Sequence, residues 1–203
     1  GGHAAGEVAS GLAIAGIERG AARLGAGETA LTVLEEEVDR AHQEIRTQAV
    51  HGREGMGCTL TAAVVSPGLV ELLHIGDSRA YRLRGESITQ LTKDDSLVGE
   101  MLRHDLLTIE QARSHPARSV LTRALGVGEV ADFSTSSEPL AEGDLLLLCS
   151  DGLTSHLTDE TILATVQQAA SVPEAVTALI EAANGAGGSD NITVVLVRCA
   201  GAD

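Results

Sequence analysis

The most constraining stretch of this sequence is an unbroken apolar run that ends just before an acidic turn. Leu145 to Cys149 is too short to span a membrane and too continuous for a strand with one wet face, so it predicts a strand buried on both faces. Asp151 and Gly152 follow the run, and the strand would deliver a carboxylate to a turn where rigid scaffolds hold metal ligands or catalytic acids. The alternative, that Ser150 to Gly152 only caps the next helix, fits this segment equally well.

Composition bounds the class of protein. The chain has 203 residues, of which 43% are hydrophobic, and this predicts one domain over residues 1–203. The net charge of −15 argues against nucleic acid or an anionic membrane as the main partner, and the two aromatic residues, Tyr81 and Phe133, leave little for base stacking. An anionic substrate would need positive charge at the site to offset the negative charge of the chain, and bound divalent cations usually supply it.

The apolar segments and the cysteines predict the compartment. No apolar run approaches the length of a membrane helix and no signal peptide is visible, so we expect a cytoplasmic protein that binds no membrane. Cys58, Cys149 and Cys199 each lie beside strand-like apolar residues without metal-type pairing. We therefore expect buried, reduced thiols rather than disulfides.

Hydrophobic periodicity predicts two helices, then a run of strands, and then a mixture. The first helix carries Val8, Leu12 and Ala15 at helical spacing, although its glycines weaken it. The predicted elements are helices at 3–24 and 31–45, strands at 58–66, 69–76, 80–84, 87–91, 133–139, 145–149 and 192–198, and helices that begin near Thr158 and Pro173. The insertion at 96–126 holds short helical pieces, and such insertions are often flaps over a site.

Three acids stand where apolar strands begin or end. Asp77, Asp151 and Asp190 each have a small neighbour or a glycine beside them. Carboxylates with few His or Cys residues near them in sequence are typical ligands of hard cations such as Mg²⁺ or Mn²⁺. Each acid alone is an ordinary turn residue, and the sequence by itself does not bring the three together.

Several motifs resemble one known family over nearly the whole chain and in the right order. They read Gly1-Gly-His-Ala-Ala-Gly-Glu-Val-Ala-Ser10, Gly57-Cys-Thr-Leu60, Gly76-Asp-Ser-Arg-Ala-Tyr81, Leu148-Cys-Ser-Asp-Gly-Leu153 and Gly188-Ser-Asp-Asn-Ile-Thr193. These motifs resemble those of the bacterial metal-dependent protein phosphatases of the PPM (type 2C) family. The resemblance implies an α+β fold, with a central antiparallel β-sandwich flanked by helices in α-β-β-α layers and a flap insertion around 96–126.

The resemblance also implies an activity and a cofactor. It predicts hydrolysis of phosphoserine and phosphothreonine in proteins, with two Mn²⁺ or Mg²⁺ ions that share the attacking water and with a possible third ion. Asp151 and Asp190 would bind the first metal, and Asp77 with Asp151 the weaker third one. No catalytic residue beyond the metal ligands is expected. The partners would be phosphorylated proteins, the enzyme would oppose a serine/threonine kinase in signalling, and we expect a monomer.

Three histidines and one arginine outside these acids also have predicted roles. His115 and Arg118 fall in the flap, where contact with the substrate is one reading and a structural or solvent role the other. His74, inside a strand, is interpreted as a satisfied core histidine. His156 is expected to serve the helix that follows it.

The sequence departs from the family pattern at its start. The family motif has Asp-Gly-Met before the position of Gly1, after an early strand with an Arg, and the sequence contains neither. We expect a truncated chain of a normal phosphatase that has little activity alone. Two alternatives stay open: a catalytically impaired PPM-like module that binds phosphoproteins or regulators, and a stress-response phosphatase that acts on a sigma-factor antagonist protein.

Overall fold

Apart from one short helix at Asp151–Thr154, the helices and strands follow one another along the chain in the predicted order. A computed structural model describes residues 5–24, 29–50 and 54–200. The elements are α1 (Gly6–Arg23), α2 (Ala30–Gln48), β1 (Leu60–Ser66), β2 (Leu69–Ile75), β3 (Arg79–Arg84), β4 (Ser87–Gln90), α3 (Leu97–Arg103), α4 (Ile109–Arg113), β5 (Ser134–Pro139), β6 (Leu145–Cys149), α5 (Asp151–Thr154), α6 (Asp159–Gln168), α7 (Val172–Gly185) and β7 (Val194–Arg198). The start of the first predicted helix, at His3 and Ala4, lies outside the described residues.

Residue contacts divide the chain into two compact units. The first unit takes in Gly1–Val65, Val70–Gly76 and Asp94–Ser137, and the second takes in Ser66–Leu69, Asp77–Lys93 and Glu138–Asp203. The prediction of a single domain over residues 1–203 stays a prediction. Among the described helices, none has both the length and the apolarity needed to cross a bilayer.

In the first unit, α1 packs against α2 through small residues. The buried positions of α1 are Gly6, Ala9, Ala13, Gly16 and Gly20. A Cβ on Gly16 would come 3.1 Å from both the Cβ of Ala41 and the carbonyl oxygen of Glu37, so the glycine lets the two helices approach closely. Gly16 and Gly20, which weaken α1 by intrinsic propensity, are therefore part of the surface that packs against α2.

A buried ion cluster accompanies this helix pair. The carboxylate of Glu37 is 1% exposed, and it accepts hydrogen bonds from Arg19 Nε at 2.9 Å and Arg23 Nη1 at 3.0 Å. Arg40 Nη1 lies 3.1 Å from the same carboxylate. The Arg19 guanidinium holds the pKa of Glu37 below its usual range, against the opposing effect of burial, and Arg23 and Arg40 act in the same direction as Arg19.

This cluster predicts a pH dependence of stability. A carboxyl whose pKa is lower in the folded state stabilises fully above its unfolded pKa, about 4.3 for Glu, and that contribution is lost as the pH falls through the folded pKa. We expect Glu37→Gln to lower the free energy of unfolding at pH 7, with a deficit that shrinks below about pH 4. Urea denaturation of both proteins between pH 7 and pH 3 measures this, and a deficit that does not change with pH would contradict it.

The first unit also contains most of a sheet of order β1-β2-β5 and the 96–126 insertion. Ser96 and Thr108 cap α3 and α4 as side-chain acceptors, and Thr108 forms a capping box with Gln111. Asp95, which is fully buried, accepts hydrogen bonds from the backbone N–H of Gly76 and from Arg123. The insertion therefore starts and ends at fixed points.

In the second unit, β6 is an inner strand of a four-stranded sheet. The order is β4-β3-β6-β7, and every pair is antiparallel. Leu146, Leu147 and Cys149 of β6 are buried, which agrees with the strand that the apolar run predicts. Leu147 belongs to a core that also contains Tyr81 from β3, Leu153 from α5 and Leu179 from α7. All three cysteines are free and buried, as predicted, and burial raises the pKa of the Cys58 thiol to about 11.

Candidate metal centre

The three predicted acids lie at one edge of the sheet in the second unit. Arg79 at the start of β3 pairs with Cys149 at the end of β6, and Cys149 also pairs with Val194 at the start of β7. Because β3 and β7 run antiparallel to β6, their first residues share an edge with the last residue of β6. Asp77 precedes β3 and Asp190 precedes β7, while Asp151 follows β6. The topology thus supplies the placement that the sequence leaves open.

Asp151 is the first residue of a short helix, α5, that the sequence analysis did not predict. The backbone turns directly after β6, and the carbonyl of Asp151 accepts from the N–H of Ser155 at 2.8 Å. Its side chain is half-buried at the end of the sheet. Asp151 therefore occupies a turn that begins a helix, as the alternative interpretation of this segment expects. This backbone position leaves the side chain available as a metal ligand, and that role stays a prediction.

The hydroxyl of Ser150 joins the Asp151 segment to the Asp190 segment. Ser150 Oγ donates to the carbonyl oxygen of Asn191 at 3.1 Å and accepts from the N–H of Thr193 at 3.0 Å. The Ser150 N–H donates to the carbonyl of Thr193 at 3.1 Å. These three bonds tie together two stretches that lie about forty residues apart in sequence. Sequence reasoning missed this role, and the only signal was a hydroxyl next to the candidate acid.

Gly152 allows the closest approach between the same two segments. A Cβ at this position would lie 2.3 Å from the carbonyl oxygen of Asn191 and 2.9 Å from its carbonyl carbon. No side chain fits there unless the backbone moves. The glycine after Asp151 is therefore required by packing.

Charge accumulates where the two segments meet. Burial raises the pKa of the Asp151 carboxyl, and the negative charge of Asp190 raises it further. Asp190 is exposed, and its Oδ1 accepts from the N–H of Asn191 at 2.7 Å. Two carboxylates that repel each other are a donor set that a hard divalent cation would stabilise.

The remaining candidates, His115, Arg118 and His74, lie in the first unit. His115 is half-buried, and its Nδ1 accepts from the N–H of Ala117 at 3.1 Å, while Arg118 is exposed. Both belong to the first unit, whereas the three acids belong to the second. His74 is buried and lies 2.9 Å, Nδ1 to Oγ1, from Thr61, as expected of a core histidine.

The structure corrects the prediction for His156 and limits the set of possible metal ligands. The His156 ring does not serve the following helix as predicted, because its Nε2 accepts a hydrogen bond from the N–H of Ser189, next to Asp190. Within the described part of the chain, no group of three or more His, Cys, Asp or Glu side chains is arranged to hold a metal ion. The donor set argued from the described residues is therefore the pair Asp151 and Asp190, with Asp77 at the same edge.

Known proteins resemble this chain in sequence and in fold. The model of the family "Protein phosphatase 2C" matches residues 1–193. The serine/threonine protein phosphatase PstP of Mycobacterium tuberculosis is 45% identical over 201 residues, which are 97% of this chain and 38% of that protein. The serine/threonine phosphatase stp of Listeria welshimeri is 38% identical over 203 residues, 98% of this chain and 81% of that protein. The chain thus spans less than half the length of PstP.

Solved structures agree with the sequence matches. A crystal structure of the M. tuberculosis phosphatase PstP/Ppp superposes with a TM-score of 0.89 at 42% identity, covering 98% of this chain and 85% of that one. The PstP catalytic domain in complex with two manganese ions superposes with a TM-score of 0.82 at 41% identity, covering 97% and 82%. These matches confirm the predicted α+β fold class. The chain belongs to the protein phosphatase 2C family.

Proposed function

We propose that this protein is a metal-dependent serine/threonine protein phosphatase that uses Mn²⁺ or Mg²⁺. The observation that carries the proposal is the joining of Asp151 and Asp190 by Ser150 and Gly152 at one sheet edge, with Asp77 at the start of the neighbouring strand. Relatives over the same residues are named serine/threonine phosphatases, and one solved relative holds two manganese ions. Both facts support the same chemistry here.

The acids fit a divalent cation by charge and by donor type. Asp151 and Asp190 would hold the first metal, and Asp77 with Asp151 would hold a weaker additional one. A bound divalent cation supplies a water of lowered pKa and offsets the negative charge of a phosphoryl group. The protein contributes carboxylates on two segments that hydrogen bonds tie together, which reduces the ordering needed when the cation binds.

The net charge of the chain affects how the site can bind a phosphorylated protein. A net charge of −15 repels a phosphorylated protein, so the cations at the site must offset that repulsion. Arg118 and His115 of the 96–126 insertion are proposed to contact the substrate, and the guanidinium of Arg118 would add positive charge there. We propose phosphorylated proteins as partners, opposition to a serine/threonine kinase in signalling, action as a monomer, and a cytoplasmic location.

Phosphate release from a phosphothreonine peptide tests the proposal. The full-length protein should release phosphate with Mn²⁺, stop when EDTA is added, and resume when excess Mn²⁺ is supplied. A phosphotyrosine peptide of the same sequence should be a much poorer substrate. Binding of the phosphopeptide without release of phosphate would support the catalytically impaired module instead. Release that EDTA does not affect would contradict the metal requirement.

A further inference from the structure

The imidazole of His156 contacts the loop that leads to Asp190. The N–H of Ser189 donates to His156 Nε2 at 3.0 Å, and Ser189 Oγ lies 2.9 Å from the same nitrogen. A Cβ on Gly187 would come 3.0 Å from His156 Cε1, so the ring packs directly against this glycine. Because a backbone N–H only donates, Nε2 carries the lone pair and the neutral ring has its proton on Nδ1.

Asp190 lies between two fixed points of the same loop. On its N-terminal side, His156 holds Ser189, and on its C-terminal side, Ser150 holds Asn191 and Thr193. The side chain of Asp190 itself is exposed, so packing around the carboxylate does little to fix its position. The two hydrogen-bonded anchors restrain it instead.

The glycines of this loop make the anchor on the N-terminal side important. Gly187 and Gly188 adopt φ of +141° and +52°, a region that other residues rarely enter. Glycine chains have many accessible conformations, and fixing them costs free energy. A contact that fixes the loop in advance reduces the cost of ordering Asp190 when a cation binds.

His156 also connects this loop to the segment of Asp151. The short helix α5 begins at Asp151, and the N–H of His156 donates to the carbonyl of Leu153 at 3.2 Å at the end of that turn. The same short segment thus carries Asp151 at one end and the ring that holds Ser189 at the other. Displacement of the ring would therefore release Ser189 from the segment that carries Asp151.

We propose that His156 is a positioning residue for Asp190, which it holds through Ser189 so that Asp151 and Asp190 bind a divalent cation together. This inference rests on the proposed metal site. His156 does not touch the cation or the substrate in this account. Its effect is on the affinity for the metal, because partners that orient metal ligands contribute about ten- to a hundredfold to affinity.

Titration of the full-length protein with Mn²⁺ by calorimetry tests this role. We expect His156→Ala to weaken Mn²⁺ binding by roughly tenfold, at the lower end of the range for residues that act through a ligand. His156→Gln should recover most of the affinity, since its amide oxygen reaches the position of Nε2 and accepts from Ser189. His156→Asn is too short to do so and should behave like His156→Ala. Hydrogen exchange at the Ser189 amide should be faster in the Ala and Asn variants.

The controls separate failure of this inference from failure of the metal site. Thr165→Ala should bind Mn²⁺ as the wild type does, because Thr165 donates only within its own helix, to the carbonyl of Thr161 at 2.8 Å. If Asp190→Asn binds Mn²⁺ like the wild type, the proposed metal site is wrong. If Asp190→Asn weakens binding while His156→Ala does not, the metal site stands and the role of His156 is wrong. Equal loss in the Gln and Ala variants, with both melting like the wild type, would also overturn the hydrogen-bond role.

Discussion

Replacing Asp151 by Asn should lower Mn²⁺-dependent phosphate release by roughly a hundredfold or more, because even the partners of metal ligands contribute about ten- to a hundredfold. Asn keeps the shape of the side chain and removes the charge that the cation needs. The loss should not come from unfolding. Burial and the charge of Asp190 raise the pKa of Asp151, so the carboxylate is a cost to the metal-free fold at neutral pH.

Melting in EDTA and a matched variant complete this test. The Asp151→Asn protein should melt in EDTA at the same temperature as the wild type or above it. Glu181→Gln, which removes an exposed carboxylate from α7, should leave phosphate release unchanged. Asp151→Asn with near wild-type turnover in Mn²⁺ would show that Asp151 is not a ligand.

Replacing Gly152 by Ala should disrupt the fold and the activity together. The new Cβ would lie 2.3 Å from the carbonyl oxygen of Asn191, and both atoms belong to short, fixed segments. The backbone around Asp190 or Asp151 would have to move, and overpacking of this kind costs about 1–3 kcal/mol. We expect a lower melting temperature and loss of most Mn²⁺-dependent phosphate release.

A second glycine provides the matched control. Gly185 ends α7, and a Cβ there would meet nothing within 4 Å, so Gly185→Ala should be neutral or slightly stabilising. Thermal melting and phosphate release in Mn²⁺ compare the two variants. If Gly152→Ala retained wild-type melting and turnover, the close approach would have no role in holding the two acids.

Local pattern was sufficient for most elements because each depends on neighbours in sequence. The apolar run Leu145–Cys149 predicted a strand buried on both faces, and the burial of Leu146 and Leu147, which point to opposite faces of β6, confirms it. The helix α1 is confirmed, but its most buried residues lie one position along from those that indicated it. Val8, Leu12 and Ala15 are half-buried, whereas the buried residues are Gly6, Ala9, Ala13, Gly16 and Gly20. Hydrophobicity selects large side chains, but the close approach of α2 selects small ones.

The candidate site was predictable only in part, because the meeting of its acids depends on which strands pair and in which register. The acids could be recognised at strand ends, and their meeting at one edge follows only once β3 and β7 are known to flank β6. The roles of Ser150 and His156 rest on hydrogen bonds across 33 to 43 residues of sequence. No local pattern relates residues at that separation, so His156 was assigned to the neighbouring helix.

The position of a bound metal is the most direct test of the central claim, that Asp151 and Asp190 hold a divalent cation together. Crystals of the full-length protein grown with Mn²⁺, measured at a wavelength where manganese scatters anomalously, locate the ion without reference to activity. We predict an anomalous peak bonded to a carboxylate oxygen of Asp151 and to one of Asp190. Manganese peaks that contact neither carboxylate, or only one of them, would contradict the account.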